Sequence, residues 1–324
     1  MNPTPFDAGP LRIGISSCLL GEEVRFDGGH KRDRFLTDLL ADFVEFVPVC
    51  PEVEAGLGTP REAIHLEQAG GDGALRIVGV KSGTDHTRAL RKQARSRVRA
   101  LADAGLCGYV LKRGSPSCGM ERVKVFQKKG MPSRGGRGLF AAELMERMPL
   151  LPVEEEGRLN DPPLRENWIE RIFAYRRLRN LFAGRLSRRR LVEFHTAHKL
   201  QLMAHSPKAY RELGRLVGDA RDLPAHELRF RYESGFMEGL AHKATPGRNR
   251  NVLEHMLGYF RDQLDADTRA EIARSIEDYH ARLVPLVVPL SLVAHYVRKL
   301  DVSYLRGQVY LQPHPKELML RNHV

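Results

Sequence analysis

Between residues 11 and 147, short apolar runs alternate with amphipathic stretches. Leu11 to Ser16 and the β-branched run Val44 to Val49 read as strands, with Arg34 to Phe43 between them as a helix. From about Asp85 to Ala104, Leu90, Ala94, Val98 and Leu101 recur at helical spacing with arginines on the other faces, and Gly105 stops the pattern. Cys107 to Leu111 predicts a further strand, Val123 to Gln127 a short edge strand, and Gly138 to Arg147 a helix. This alternation predicts an α/β domain on an open, mostly parallel, Rossmann-like sheet.

The pattern changes after Pro149. Glu154 to Glu156, followed by Asn-Asp-Pro-Pro ending at Pro163, has the look of a solvated linker. The expected organisation is therefore an α/β domain over 1–152, a linker over 153–164 and an all-α domain over 165–324. Trp168, Ile172, Tyr175, Leu178 and Phe182 repeat at three and four residues, and 190–204, 207–217, 224–241, 249–264 and 267–283 each read as helices. There is no internal repeat and no low-complexity tract.

A chain of 324 residues with 42% hydrophobic and 28% charged residues is long enough for two globular domains, which excludes collagenous, mini-protein and disordered classes. The net charge of +12 is unevenly spread: residues 1–160 carry +3 and 161–324 carry +9, mostly as arginine, whose planar fork suits phosphate. Nucleic acid is the leading macromolecular partner on charge, with solvated basic faces as the ordinary reading. No apolar run reaches the length of a membrane span; the strongest, Leu283 to Ala294, is broken by Pro285 and Pro289. The first residues, Met-Asn-Pro-Thr-Pro, lack the pattern of a signal peptide, so a cytoplasmic location is expected.

In that compartment four cysteines are expected to be thiols or metal ligands rather than disulfides. Cys18, Cys50 and Cys118 each follow a predicted strand, whereas Cys107 begins one. In a parallel sheet the loops after strands emerge at one edge, so those three can converge while Cys107 is buried at the other. Three thiolates without histidine at matching spacing suit zinc with another ligand or an iron–sulfur cluster with one iron left open, and no C-x₂-C pair supports structural zinc. Three buried or loop thiols remain the alternative.

Ser16-Ser17-Cys18-Leu19-Leu20-Gly21 with Val24-Arg25-Phe26-Asp27-Gly28, then Cys50-Pro51-Glu52 with Gly56-Leu57 and Pro60-Arg61, then Ser115-Pro116-Ser117-Cys118-Gly119, resemble the three motifs of the thiouracil desulfidase family. Trp168 to Arg179, Phe194 to Lys199 and Tyr310 to Pro315 are similar to a helical domain often fused to it. The combination, over about 10 to 322, resembles bacterial desulfidases acting on 4-thiouridine in tRNA. Ser17 and Ala55 depart from the usual residues at positions that are not ligands, and Pro246 and Asn249 interrupt a stretch more often Arg-Gly-Arg-His.

The resemblance implies a [4Fe–4S] cluster on Cys18, Cys50 and Cys118, whose open iron binds the substrate sulfur while water attacks carbon, turning C=S into C=O. Proton transfer then calls for a carboxyl group beside the cluster, and Glu52 is the candidate, with Ser115 to hydrogen-bond the substrate or relay a proton. Asp27, Lys112 and Ser117 are candidates for contacts to the substrate or around the cluster. With a polynucleotide substrate, Arg176, Arg177, Lys243, Arg248 and Arg250 become phosphate contacts. His195 and His198, three apart, read first as ordinary helix histidines. The alternatives are a desulfidase of free thiopyrimidines, a non-enzymatic iron–sulfur sensor binding nucleic acid, and a structural zinc domain.

Overall fold

A computed structural model describes residues 6–68, 74–127, 130–184 and 186–323. The chain divides into two compact units: Pro10–Asp161 is one, and the described part of Met1–Gly9 belongs with Pro162–Val324 in the other.

The first unit is α/β. In chain order it contains β1 (Arg12–Ser16), β2 (Glu45–Val49), α1 (Pro51–Glu54), β3 (Ile64–Gln68), β4 (Leu75–Gly79), α2 (Thr87–Asp103), β5 (Gly108–Leu111), β6 (Val123–Phe126), β7 (Ser133–Gly136), α3 (Leu139–Arg147) and β8 (Val153–Glu155). One sheet has the order β2-β1-β5-β8, and all its pairings are parallel. Ile13, Ile15, Val110 and Leu111 bury its centre, and α2 turns Leu90, Ala94, Val98 and Leu101 inward. Four residues at helical spacing thus give one apolar stripe. A second sheet, β4-β3-β6-β7, is mixed, with its own core of Leu66, Ile77, Leu90, Val123 and Val125.

Two expectations are corrected. The stretch from Arg34 to Phe43 is a π turn over Phe35–Leu39 followed by a 3-10 turn over Leu40–Asp42, not one helix. Asp33 accepts the Leu36 N–H (3.1 Å) and Thr37 Oγ1 donates to the Asp33 carbonyl (3.0 Å), local bonds that compete with a regular helix. The expected linker over 153–164 is also structure: Val153–Glu155 pairs in parallel with Tyr109 to Leu111 as the sheet's fourth strand, and a helix begins at Pro162. Its acidic side chains are consumed locally. Glu154 accepts from Arg158 Nε (2.7 Å), Glu155 from the Met120 N–H (2.8 Å) and Glu156 from the Arg113 N–H (2.7 Å).

The second unit is helical: α4 (Pro162–Phe182), α5 (Arg188–His205), α6 (Pro207–Gly218), α7 (Ala225–Ala241), α8 (Pro246–Gly258), α9 (Ala266–His280), α10 (Val287–Lys299) and the short α11 (Ser303–Arg306). Ser187, Ser206, Thr245 and Asp265 accept the N–H three residues on, capping α5, α6, α8 and α9. Helix α8 ends at Gly258, short of the expected 264, and Pro289 sits in the first turn of α10, where the missing N–H is tolerated. Val252, Met256, Ile272, Ile276, Val293 and Val297 form the centre of one core. Phe6 packs edge-on against Phe194 with centroids 5.3 Å apart, which places Phe6 in the core of this unit.

Candidate active site

Three connections carry the cysteines to the carboxyl ends of parallel strands. Cys18 lies in the 3-10 turn that ends β1, and Cys50 closes β2 and precedes Pro51 at the first position of α1. Cys118 sits in the loop between β5 and β6. That loop is held against the start of α3, whose Leu139 N–H donates to the Pro116 carbonyl and Phe140 N–H to the Ser117 carbonyl. Gly138 permits the approach, since a Cβ there would stand 2.3 Å from the Ser117 oxygen.

All three cysteines line one cavity of about 430 Å³, with Glu52, Arg61, Lys112 and Ser115. Cys107 does not; it is buried, with its thiol 3.7 Å from the Gly105 carbonyl. Burial pushes the Cys18 thiol up to about 11, against the pull of Lys112, and raises Cys50 and Cys118 as well. Filling the site with a thiophilic metal group must therefore displace protons. Among the described residues, the trio whose ligand atoms all approach within 4.8 Å is Glu166, Glu170 and His314, not the cysteines. Thiolates on one zinc ion would stand about 3.8 Å apart at a Zn–S distance of about 2.3 Å. The donor set, three soft thiolates spread around a cavity, fits a polynuclear cluster better than a single ion.

Glu52 is gripped from both sides. Ser117 Oγ donates to Oε1 at 2.9 Å, Ser115 Oγ stands 3.5 Å from the same oxygen, and Arg61 donates to Oε2 through Nε (3.0 Å) and Nη2. Arg61 is anchored in turn on the carbonyls of Val24 (3.0 Å) and Gly58 (2.9 Å). Ser115 Oγ accepts the N–H groups of Ser117 and Cys118, both at 3.1 Å. Its turn-forming role and its place beside Glu52 hold together.

The structure gathers some of the expected site residues and leaves others apart. Lys112 lines the cavity, with Nζ paired to Glu156. Ser117 is buried and reaches the site through Glu52. Asp27 instead shapes a surface turn, accepting the Gly29 N–H (3.2 Å) and pairing with Arg25 (3.4 Å). No role was expected of Arg61; the available signal was its place beside Pro60 in the same motif as Glu52.

In the helical unit, several arginines expected to meet phosphate are committed elsewhere. Arg177 is 1% exposed, paired with Asp7 (2.7 Å) and bonded to the Pro313 carbonyl (2.9 Å), so it is a core ion pair and not a surface contact. Arg176 shares Asp7 (3.1 Å), Arg248 donates to the His205 carbonyl (2.7 Å), and Arg250 pairs with Glu254 (3.0 Å) and Glu277 (2.6 Å). Lys243 is exposed. His195 and His198 are buried, the first against Tyr232 Oη (3.1 Å), the second stacked on Phe194 with centroids 4.0 Å apart.

The chain belongs to the 2-thiouracil desulfurase family through residues 13–156, and residues 199–315 match a domain described as a protein of unknown function, DUF1722. It is 34% identical over 158 residues to the uncharacterized protein YbgA of Escherichia coli K12, covering 48% of this chain and 94% of that one. The uncharacterized protein YbbK of Bacillus subtilis 168 is 33% identical over 111 residues, covering 33% and 72% respectively. The solved [4Fe-4S]-dependent thiouracil desulfidase TudS is 32% identical, covering 47% of this chain and 94% of its own, with a TM-score of 0.38. Among the described residues no helix is long and apolar enough to cross a membrane.

Proposed function

We propose that the protein is a [4Fe–4S]-dependent desulfidase that converts 4-thiouridine in tRNA to uridine and releases sulfide. The observation that carries the desulfidase chemistry is one cavity lined by Cys18, Cys50, Cys118 and Glu52; the tRNA part rests on the resemblance of the two-domain chain. The net reaction replaces C=S by C=O, consumes one water and releases one hydrogen sulfide, with no change of oxidation state. Cys18, Cys50 and Cys118 would hold the cluster, which supplies a thiophilic Lewis acid for the substrate sulfur. Glu52 takes the proton of the attacking water, an acceptor role for which Arg61 and Ser117 fix both its oxygens in place. Ser115 keeps its hydroxyl proton for the substrate or for Glu52, because its oxygen already accepts two N–H groups. Lys112, beside Cys18, offsets negative charge gathered at the cavity wall.

The test is turnover by anaerobically loaded enzyme of purified thiolated tRNA against free 4-thiouracil, followed by loss of thiocarbonyl absorbance. Higher kcat/KM on tRNA supports the reading; turnover of the free base alone refutes the tRNA part. That second reading, a free thiopyrimidine, is favoured by the internal pairing of Arg177, Arg248 and Arg250. A non-enzymatic sensor would show no turnover of either substrate, with cluster and nucleic-acid binding intact.

A further inference from the structure

The cluster cavity does not end at its own wall. A second depression of about 660 Å³ in the same unit shares Ile64, Arg113, Gly114 and Pro116 with it, so the two adjoin. This groove runs over the mixed sheet. In β6 the burial alternates, with Val123 and Val125 inward and Lys124 and Phe126 outward. The inward pair packs the small core, so the outward pair is left facing the groove.

Two features of that face point to a ligand. Phe126 is 37% exposed and meets the His65 ring edge-on with centroids 4.6 Å apart, an aromatic platform on the outside of a sheet. Beside it Arg113, Arg122, Lys124 and Arg134 line the groove, and among the described residues none of them is in an ion pair. The groove's acids are occupied: Glu121 pairs with Arg158 (3.1 Å) and Glu155 accepts the Met120 N–H (2.8 Å). Cations without an ion-pair partner beside one exposed ring suit a strand of nucleotides, with phosphates on the cations and a base on the ring; a duplex offers no base face to stack.

We propose that this groove on the α/β unit is the track for the single-stranded RNA segment next to the thiolated base. The inference rests on the reading of tRNA as substrate and moves the principal RNA contacts from the helical unit to the sheet beside the cavity. Extracting a base from folded RNA costs unstacking and unpairing energy. Stacking of a neighbouring base on Phe126 and phosphate contacts at Arg122 and Lys124 offset that cost where the base leaves its stack.

The test uses the full, cluster-loaded chain carrying Arg122→Glu with Lys124→Glu, and separately Phe126→Ala, none of which touches the cysteines or Glu52. Affinity for labelled thiolated tRNA is measured against salt, beside kcat/KM for tRNA and for free 4-thiouracil, with iron content as the check on integrity. The charge variant should bind tRNA at least about tenfold more weakly and lose about 1.4 from its log–log salt slope, at about 0.7 per single-strand phosphate contact. Phe126→Ala should cost about 5- to 150-fold in tRNA affinity, as expected for one stacked base. Both should turn over 4-thiouracil within twofold of wild type. Unchanged tRNA affinity and slope, with wild type active on tRNA, would overturn the groove while leaving the substrate reading intact. Equal losses on both substrates would make the face structural, also overturning it. A wild-type enzyme inactive on tRNA but active on the free base would remove the substrate reading and the groove with it.

Discussion

Arg61 Nε donates to Glu52 Oε2 at 3.0 Å, and both side chains are largely buried in the wall of the cysteine-lined cavity. The guanidinium is itself fixed by two backbone carbonyls, so it sets where the carboxylate points. Arg61→Ala should lower kcat by about 10- to 100-fold with iron content unchanged, because a base displaced by an ångström acts poorly. Arg61→Lys, which keeps charge but loses the fork, should recover only part and should shift the pH profile of kcat. A variant with wild-type kcat and an unmoved profile would remove Arg61 as a positioning residue.

Glu52→Gln keeps the hydrogen-bonding shape toward Ser117 but removes the base. Cluster content should hold, and turnover should fall by about 10²- to 10⁴-fold. Loss of iron in this variant would make Glu52 a structural support.

The cysteines divide by position. Alanine at Cys18, Cys50 or Cys118 should abolish reconstitution of iron and sulfide, whereas Cys107→Ala should reconstitute normally, since Cys107 is buried outside the cavity. Iron retained without Cys18 and lost without Cys107 would reverse the assignment.

Much of the α/β unit was legible because its signals are local. Four apolar residues at helical spacing gave α2, and strands feeding cysteines into the next loop gave the shared edge. The second sheet was legible only at β6, expected as an edge strand but found between β3 and β7; β7 reads Ser-Arg-Gly-Gly, with no apolar alternation, and acquires its strand from pairing with β6. β8 was hidden by its charge, since the donors for Glu154 and Glu155, Arg158 and the Met120 N–H, are supplied by the fold. The Arg61–Glu52 pair is tertiary for the same reason. Conversely, arginine count in the second half overstated its surface charge, because a sequence does not show that Asp7 takes two of them.

Arg177 is therefore predicted to act on stability, not on RNA. Arg177→Glu places two carboxylates together in the core of the helical unit and should destabilise it by about 3–5 kcal/mol, the cost of breaking a buried pair. Lys243→Glu, at an exposed position, should leave the unfolding free energy within about 0.5 kcal/mol of wild type. Denaturant unfolding followed by the single tryptophan, Trp168, reads this unit directly, because that residue is buried in α4.

The same probe should reveal acid sensitivity in the helical unit. Burial holds His195 and His314 down to about 4 and His198 to about 3, so each is neutral in the fold near pH 5 and takes up a proton on unfolding. A depressed histidine contributes stability that is present above its unfolded value of about 6.5 and lost as pH falls toward the folded value. Glu166 works the other way: burial raises it to about 7, so unfolding releases its proton between about pH 7 and 4.5 and favours the fold there. Three protons taken up against one released leaves about two, a slope of about 2 to 3 kcal/mol per pH unit near pH 5. Below that, Glu170, held low by Arg321 and His205 despite its burial, adds to the loss. The unfolding midpoint should therefore drop steeply from pH 6.5 to 4.5, and His198→Phe, which keeps the stack on Phe194, should flatten the slope by close to one proton. A midpoint that is level or rising over that range would mean that these histidines are not held neutral in the folded protein.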